Sequence, residues 1–190
     1  MIFWYTARGT YDKSYNEDGM SWDKYLGWSK LQHLTELVSL DGMLNELLVE
    51  PDRNNADDWD YIVVDGKNKY ETGFYTTVDY VLKRKKAKEI FNFLTVVVEP
   101  IEDCKNIFLS DYNFMGYELL DKEYGNSALT NCGGFDEIFL STDINNVGLI
   151  DNYGKAFDIK TRLLENNPQE HHADTNVIAV WRHKIIGRHK

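Results

Sequence analysis

The run Phe91-Asn92-Phe93-Leu94-Thr95-Val96-Val97-Val98 constrains this chain most tightly. Six of its eight side chains are apolar and four are β-branched, a combination that crowds a helix and fits a pleated backbone. Its polar positions do not alternate, so it reads as a strand covered on both faces, central in a sheet. Glu99-Pro100 stops it, because proline brings no amide hydrogen to a ladder.

A central strand needs neighbours on both edges. Ile2 to Thr6 reads as an opening strand. Trp59 to Val64 reads as another, with the turn Asp65-Gly66-Lys67-Asn68 and a returning arm over Lys69 to Tyr75. Phe114 to Leu120 and Ser127 to Asn131 read as a pair joined through Asp121–Asn126, and Thr175 to Trp181 as the final strand.

Helical spacing appears in two places. Leu31, Leu34, Leu37 and Val38, then Met43, Leu44, Leu47 and Leu48, recur in steps of three and four. They predict one long or two consecutive helices over about 22–48, with Ser21 as N-cap and Gly42 as the break. Ala156, Ile159 and Leu163, joined by Phe157 and Leu164, predict a second helix over 152–166 that Asn166-Asn167-Pro168 terminates. A shorter helix is expected over Thr77 to Lys86, with Val78, Val81 and Leu82 inward.

The expected fold is therefore α+β: a mixed or mainly antiparallel sheet of about five to six strands, with two longer amphipathic helices packed on it. A length of 190 residues suits one core, so a single domain over 1–190 is expected.

The formal net charge is −10, from 31 acidic and 21 basic residues. A surface that tracks phosphates needs clustered Lys and Arg, so nucleic acid is disfavoured as a ligand. The imbalance sits in the first half: residues 1–82 carry 15 acids against 7 bases, residues 83–190 carry 16 against 14. Lys83-Arg84-Lys85-Lys86-Ala87-Lys88 is the one basic cluster, read as the polar C-terminal end of the 77–86 helix, where cations are favoured. No apolar run reaches a membrane span, and the apolar start Met1–Gly9 is too short for a signal peptide, so a cytoplasmic protein is expected. Two cysteines without paired spacing indicate neither a disulfide scaffold nor a zinc site, and no metal or cofactor is expected.

Two stretches are candidates for function. Residues 46–60 hold Glu46, Glu50, Asp52, Asp57, Asp58 and Asp60 against Arg53 alone. They read either as a solvated loop or as a docking surface for a basic partner, with Trp59 as an aromatic anchor. The second stretch is Asn126 to Phe135, which ends in Cys132-Gly133-Gly134-Phe135. A cysteine nucleophile needs a lowered pKa and a base, and backbone amides at Gly133-Gly134 would suit an oxyanion. His171, His172 and Asp174 are candidate partners for Cys132. The competing reading makes Cys132 a small buried hydrophobe and the glycines a turn. Adjacent histidines diverge on an extended backbone, so His171-His172 does not read as a metal site. No phosphate-loop, dinucleotide or nucleophile-elbow signature is present.

Two functions follow as expectations. The first is a binding or inhibitory protein, comparable in size and charge to immunity or antitoxin-like inhibitors, that meets a basic protein partner through Glu50, Asp52, Asp57, Asp58, Trp59 and Asp60. The alternative is a small hydrolase or transferase with Cys132 as nucleophile and His171 or His172 as base. The sequence leaves open whether the chain is an enzyme.

Overall fold

The computed structural model describes residues 1–13, 20–51, 72–131, 138–166, 168–170 and 172–188. Four strands, β1 (Trp4–Arg8), β2 (Asn92–Val98), β3 (Tyr112–Asp121) and β4 (Thr175–His183), form one sheet in the order β1-β2-β4-β3. Every pairing is antiparallel. The Phe91–Val98 run is an inner strand, as its composition demands. The other inner strand is β4, at the far end of the chain.

Side-chain alternation along the strands divides the core. On one face Val97, Tyr117, Leu119, Val177, Ala179 and Trp181 pack with Ala156, Ile159 and Leu163 of helix α3 (Tyr153–Asn166). This helix and its three inward positions match the periodicity. On the other face Leu94, Val96, Leu120, Ile178 and Val180 meet Val38, Leu40, Phe74, Val147 and Leu149, which belong to irregular segments. A third cluster joins Ala7 and Phe93 to Leu48, Tyr75 and Val81. Val81 comes from α2 (Val78–Arg84), whose first turn is capped by the Thr77 hydroxyl accepting from Tyr80 N at 3.2 Å. Leu82, expected inward, is exposed.

Among the described residues the sheet has four strands, fewer than the five to six expected. The expected strand Trp59–Val64 and the first three residues of its returning arm lie outside the described residues; of the arm's described residues, Tyr75 bridges β1 through Tyr5. Ser127–Asn131 pairs where expected but does not remain a strand. Ser127 bridges Leu120 and Ala128 N donates to Leu119 O, after which the chain turns. The Ser127 hydroxyl accepts from Leu129 N and Thr130 N, both at 3.1 Å. A serine oxygen that satisfies the next two amides offers the backbone an alternative to the ladder.

The larger correction concerns 22–48. Helix α1 covers only Trp22–Ser29 and ends at Lys30, which adopts the left-handed conformation. Leu31, Leu34, Leu37 and Val38 are all buried, as their spacing predicts, but on a non-helical backbone. The amides find distant partners: Thr35 N donates to Asn146 O, Val38 N to Val147 O and Leu48 N to Ala7 O. Long-range partners for these amides outweigh local helix propensity. Met43, expected inward, is 82% exposed.

A bulge between Phe114 and Gly116 re-aims β3. Gly116 has φ +133°, and a Cβ there would lie 2.8 Å from Leu149 Cβ and 2.9 Å from Ile150 O. Only glycine allows the 149–150 segment to approach β3 this closely. Among the described residues no helix is long and apolar enough to cross a membrane.

Candidate functional site

Two fully buried carboxylates organise the junction of three chain segments. Asp41 directs the turn that follows it: its Oδ1 accepts from Met43 N at 2.8 Å and Leu44 N at 3.2 Å. Its Oδ2 accepts from Ser127 N and from Asn131 Nδ2, both at 2.8 Å. Glu118 projects from β3 between apolar neighbours. Its Oε1 accepts from the Ser127 hydroxyl at 2.7 Å, and its Oε2 from the Ser39 hydroxyl at 2.9 Å. The same two serines touch both acids, because Asp41 N also donates to Ser39 Oγ at 3.1 Å. Asn45 completes the frame, accepting from Ser39 N and donating to Gly9 O beyond β1.

The electrostatics are uneven. Burial pushes the Glu118 carboxyl up to about 7, against the hydrogen bonds from Ser127, Ser39 and Leu40 N, with the charge of Asp41 adding to the rise. Among the described residues, Arg8 on β1, 3% exposed, is a cation that feels both acids. Burial lowers its guanidinium to about 10, while Tyr75, Asp41 and Glu118 act to hold the proton on. It forms no ion pair with either acid, and its Nε has no hydrogen-bond partner. Gly73, with φ +64°, leaves room for this side chain, since a Cβ there would lie 3.0 Å from Nη2. Tyr25 of α1 donates its hydroxyl to Thr130 O at 2.9 Å, and burial raises its pKa.

The Asp41 turn forms part of the wall of an open groove of about 420 Å³. Tyr11, Asp12, Met20, Met43, Leu44 and Glu46 contribute to its lining. Behind it stands an aromatic cluster: the Tyr11 ring is 5.3 Å from Trp22 and 5.0 Å from Tyr25, and Lys13 Nζ lies 4.3 Å from the Trp22 ring centre. Tyr11, Glu46 and Lys88, which also lines the groove, already have structural partners. The Tyr11 hydroxyl donates to Met20 O at 2.6 Å, and Glu46 pairs with Lys86 at 2.7 Å and Lys88 at 3.7 Å. The hydrogen bond from Lys86 holds the Glu46 carboxyl below its usual range. Beside these polar groups the groove presents Met20, Met43 and Leu44, and methionine side chains are flexible and polarisable.

The residues expected from sequence are only partly brought together. Glu50 is placed, paired with Lys86 at 3.2 Å, so part of the basic cluster is neutralised by the acids beside it. Asp52, Asp57, Asp58, Trp59 and Asp60 lie outside the described residues. So do Cys132 and His171, together with Gly133 and Gly134, which leaves the nucleophile reading without geometry. His172 is half-buried and Asp174 exposed in the approach to β4. Cys104 is buried in a 3₁₀ turn, Cys104–Asn106, and burial, helped by Asp103 and Glu102, pushes its thiol up to about 11. Among the described residues no three His, Cys, Asp or Glu side chains gather as metal ligands.

Sequence reading passed over Glu118, Ser39 and Asp41. One signal was visible: a carboxylate between Tyr117 and Leu119 in a segment read as a strand. The stretch singled out for Cys132 does take part, through Ser127, Thr130 and Asn131.

Fold and site define the class: an antiparallel α+β protein in which a buried carboxylate pair adjoins a methionine- and tyrosine-lined groove. No protein-family model, curated protein or solved structure matches this chain.

Proposed function

We propose that this chain is a binding protein, with the Tyr11–Met20–Met43 groove as its docking surface and a basic protein segment as its partner. The observation that carries this reading is Met43, 82% exposed on a turn that Asp41 holds firmly from behind. An exposed methionine on a rigid turn, beside Met20, Tyr11 and Leu44, is an anchor surface of the kind used to grip apolar side chains. The charge of the first half, 15 acids against 7 bases, favours a cationic partner and speeds its approach. Glu50, and Asp52, Asp57, Asp58, Trp59 and Asp60 after it in the sequence, are the acidic and aromatic residues we propose for the partner.

The test uses the emission of Trp22 and Trp28 on α1 during titration with matched basic and acidic peptides that carry one apolar anchor. Basic peptides are expected to saturate the signal and to weaken with added salt. Met43→Lys, on an exposed side chain, is expected to lower affinity by about tenfold while leaving the fold intact. Equal binding of acidic peptides, or indifference to Met43→Lys, would sink the proposal.

A further inference from the structure

We infer that Glu118 is a proton-operated latch on the groove wall: protonated, it locks residues 39–46 against β3, and ionised, it releases them. The geometry carries this. Glu118 and Asp41 are both fully buried; Ser39 and Ser127 donate their hydroxyls to Glu118, Ser127 N donates to the Asp41 carboxylate and Asp41 N to Ser39 Oγ, and among the described residues no cation pairs with either acid. A fully buried carboxylate beside a second negative charge favours its protonated form. Among the described residues, the charged and titratable groups facing Glu118 are Asp41 from the turn, Arg8 from β1 and Tyr25 from α1. Its partner across the sheet on β4, Ile178, is apolar and offers no charge.

The hydroxyl network accommodates both forms. With Glu118 ionised, Ser39 and Ser127 donate to it. With Glu118 protonated, its O–H donates to Ser39 Oγ, and the Ser39 hydroxyl turns to Thr130 Oγ1, 3.5 Å away. The proton that leaves goes to solvent as the segment opens and water reaches the carboxylate. The connection to the groove is short: Glu118 to Ser39, Ser39 to the Asp41 amide, and the Asp41 carboxylate to the amides of Met43 and Leu44. The direction follows from the raised value near 7: the closed form prevails on the acid side, and the open form gains as pH rises through neutrality. Between pH 6 and 8 the open fraction should rise about tenfold, taking about 7 for the closed state and 4.5 for the open one. The latch stands without a partner; its control of docking rests on the groove reading above.

The experiment is NMR of the full chain, labelled with ¹³C at methionine methyls and glutamate carboxyls, titrated across neutrality. One glutamate carboxyl is expected to titrate near neutrality, with the Met43 methyl shift following the same midpoint. Hydrogen-exchange protection of the Leu44 and Ser127 amides, corrected for intrinsic exchange, should fall about tenfold between pH 6 and 8. In Glu118→Gln the Met43 shift should be flat. Ser39→Ala, which removes a hydrogen bond to the charged form, should move the midpoint upward. A Met43 methyl that stays flat while Glu118 titrates overturns the latch, as does a midpoint that survives Glu118→Gln. If Met43 follows Glu118 while peptide binding does not occur at any pH, the latch holds and only the docking reading fails.

Discussion

The hydroxyl of Ser39 lies 2.9 Å from Oε2 of Glu118, 79 residues further along the chain. The bond fastens an irregular segment to the edge strand β3, and Ser39 Oγ also accepts from the Asp41 amide. Among the described residues, Ser39→Ala leaves Glu118 Oε2 with the 3.4 Å contact from Leu40 N alone, and the buried Asp41 amide without its acceptor. The expected cost is about 1–3 kcal/mol, the usual penalty for orphaned buried polar groups. Urea denaturation of wild type and variant at pH 6 measures it. A change below about 0.5 kcal/mol would show that the network is not under tension from these groups.

Glu118 gives stability an unusual pH dependence. Its folded-state pKa is raised, so the stability it contributes is present below its unfolded value of 4.5 and is lost as pH rises through about 7. Glu118→Gln removes this dependence while keeping the side-chain shape. The difference in stability, variant minus wild type, should therefore grow by about 1–3 kcal/mol in the variant's favour between pH 4 and 8. Comparing the two proteins cancels the carboxylates that respond in the opposite sense, such as Glu36, Glu46 and Asp103, whose pKa values are lowered. A pH-independent difference would contradict the assignment.

These two residues also mark the limits of sequence reading. The spacing of Ala156, Ile159 and Leu163 identified α3 because its packing is local and periodic. The same kind of spacing in Leu31, Leu34, Leu37 and Val38 identified burial correctly and conformation wrongly. What decides the conformation there is the chain at Asn146 and Val147, which takes the Thr35 and Val38 amides, and no window of local sequence contains it. The site was hidden for a related reason. Ser39, Asp41, Glu118 and Ser127 are common residue types far apart in sequence, and only the folded backbone makes them neighbours. An acidic loop and a Cys-Gly-Gly stretch are conspicuous in sequence because their residues are contiguous, which says little about where distant side chains converge.

Glu36 and Arg182 form a two-pronged ion pair, each guanidinium nitrogen 2.9 Å from one carboxylate oxygen. Burial pulls the Glu36 carboxyl up, but the hydrogen bonds and charge of Arg182, with Arg188 and Lys13 adding, hold it below its usual range. A lowered value contributes stability above the unfolded pKa that is lost as pH falls through the folded one. Arg182→Lys keeps the charge but loses the planar fork, and should cost about 1 kcal/mol at pH 7, less as the solution is acidified. Thermal denaturation at pH 7 and at about pH 3, below the ordinary glutamate range, checks it. An equal cost at both would show that packing of the Arg182 stem, rather than the pair, carries the effect.

Gly116 predicts a steric failure. Alanine there would have to hold φ near +133° and place its Cβ 2.9 Å from Ile150 O, a backbone atom on a buried segment. Because Tyr117 and Ile150 exchange both their backbone hydrogen bonds, at 2.8 and 3.0 Å, the segment cannot retreat without breaking the bridge. Gly116→Ala should destabilise by about 1–3 kcal/mol or more, whereas Gly27→Ala, with open space around its Cβ on α1, should be neutral or slightly stabilising. Chemical denaturation of the two variants provides the comparison, and similar midpoints would contradict the close approach.

Cys104 should be unreactive in the native protein. It is buried, its thiol is pushed up to about 11, and little thiolate exists at neutral pH. Its turn is held by Tyr117, whose hydroxyl accepts from Cys104 N at 2.7 Å and donates to Asp103 Oδ1 at 2.6 Å. Iodoacetamide at pH 7.5 should therefore label Cys104 only through opening of this turn. Tyr117→Phe removes both bonds while leaving the ring in place, at a cost of about 1–1.5 kcal/mol, so labelling of Cys104 should accelerate by about tenfold. Peptide mapping by mass spectrometry reads the rate at this residue alone. Fast labelling in the wild type, or a rate unmoved by Tyr117→Phe, would mean that the Tyr117 hydroxyl does not hold the turn closed.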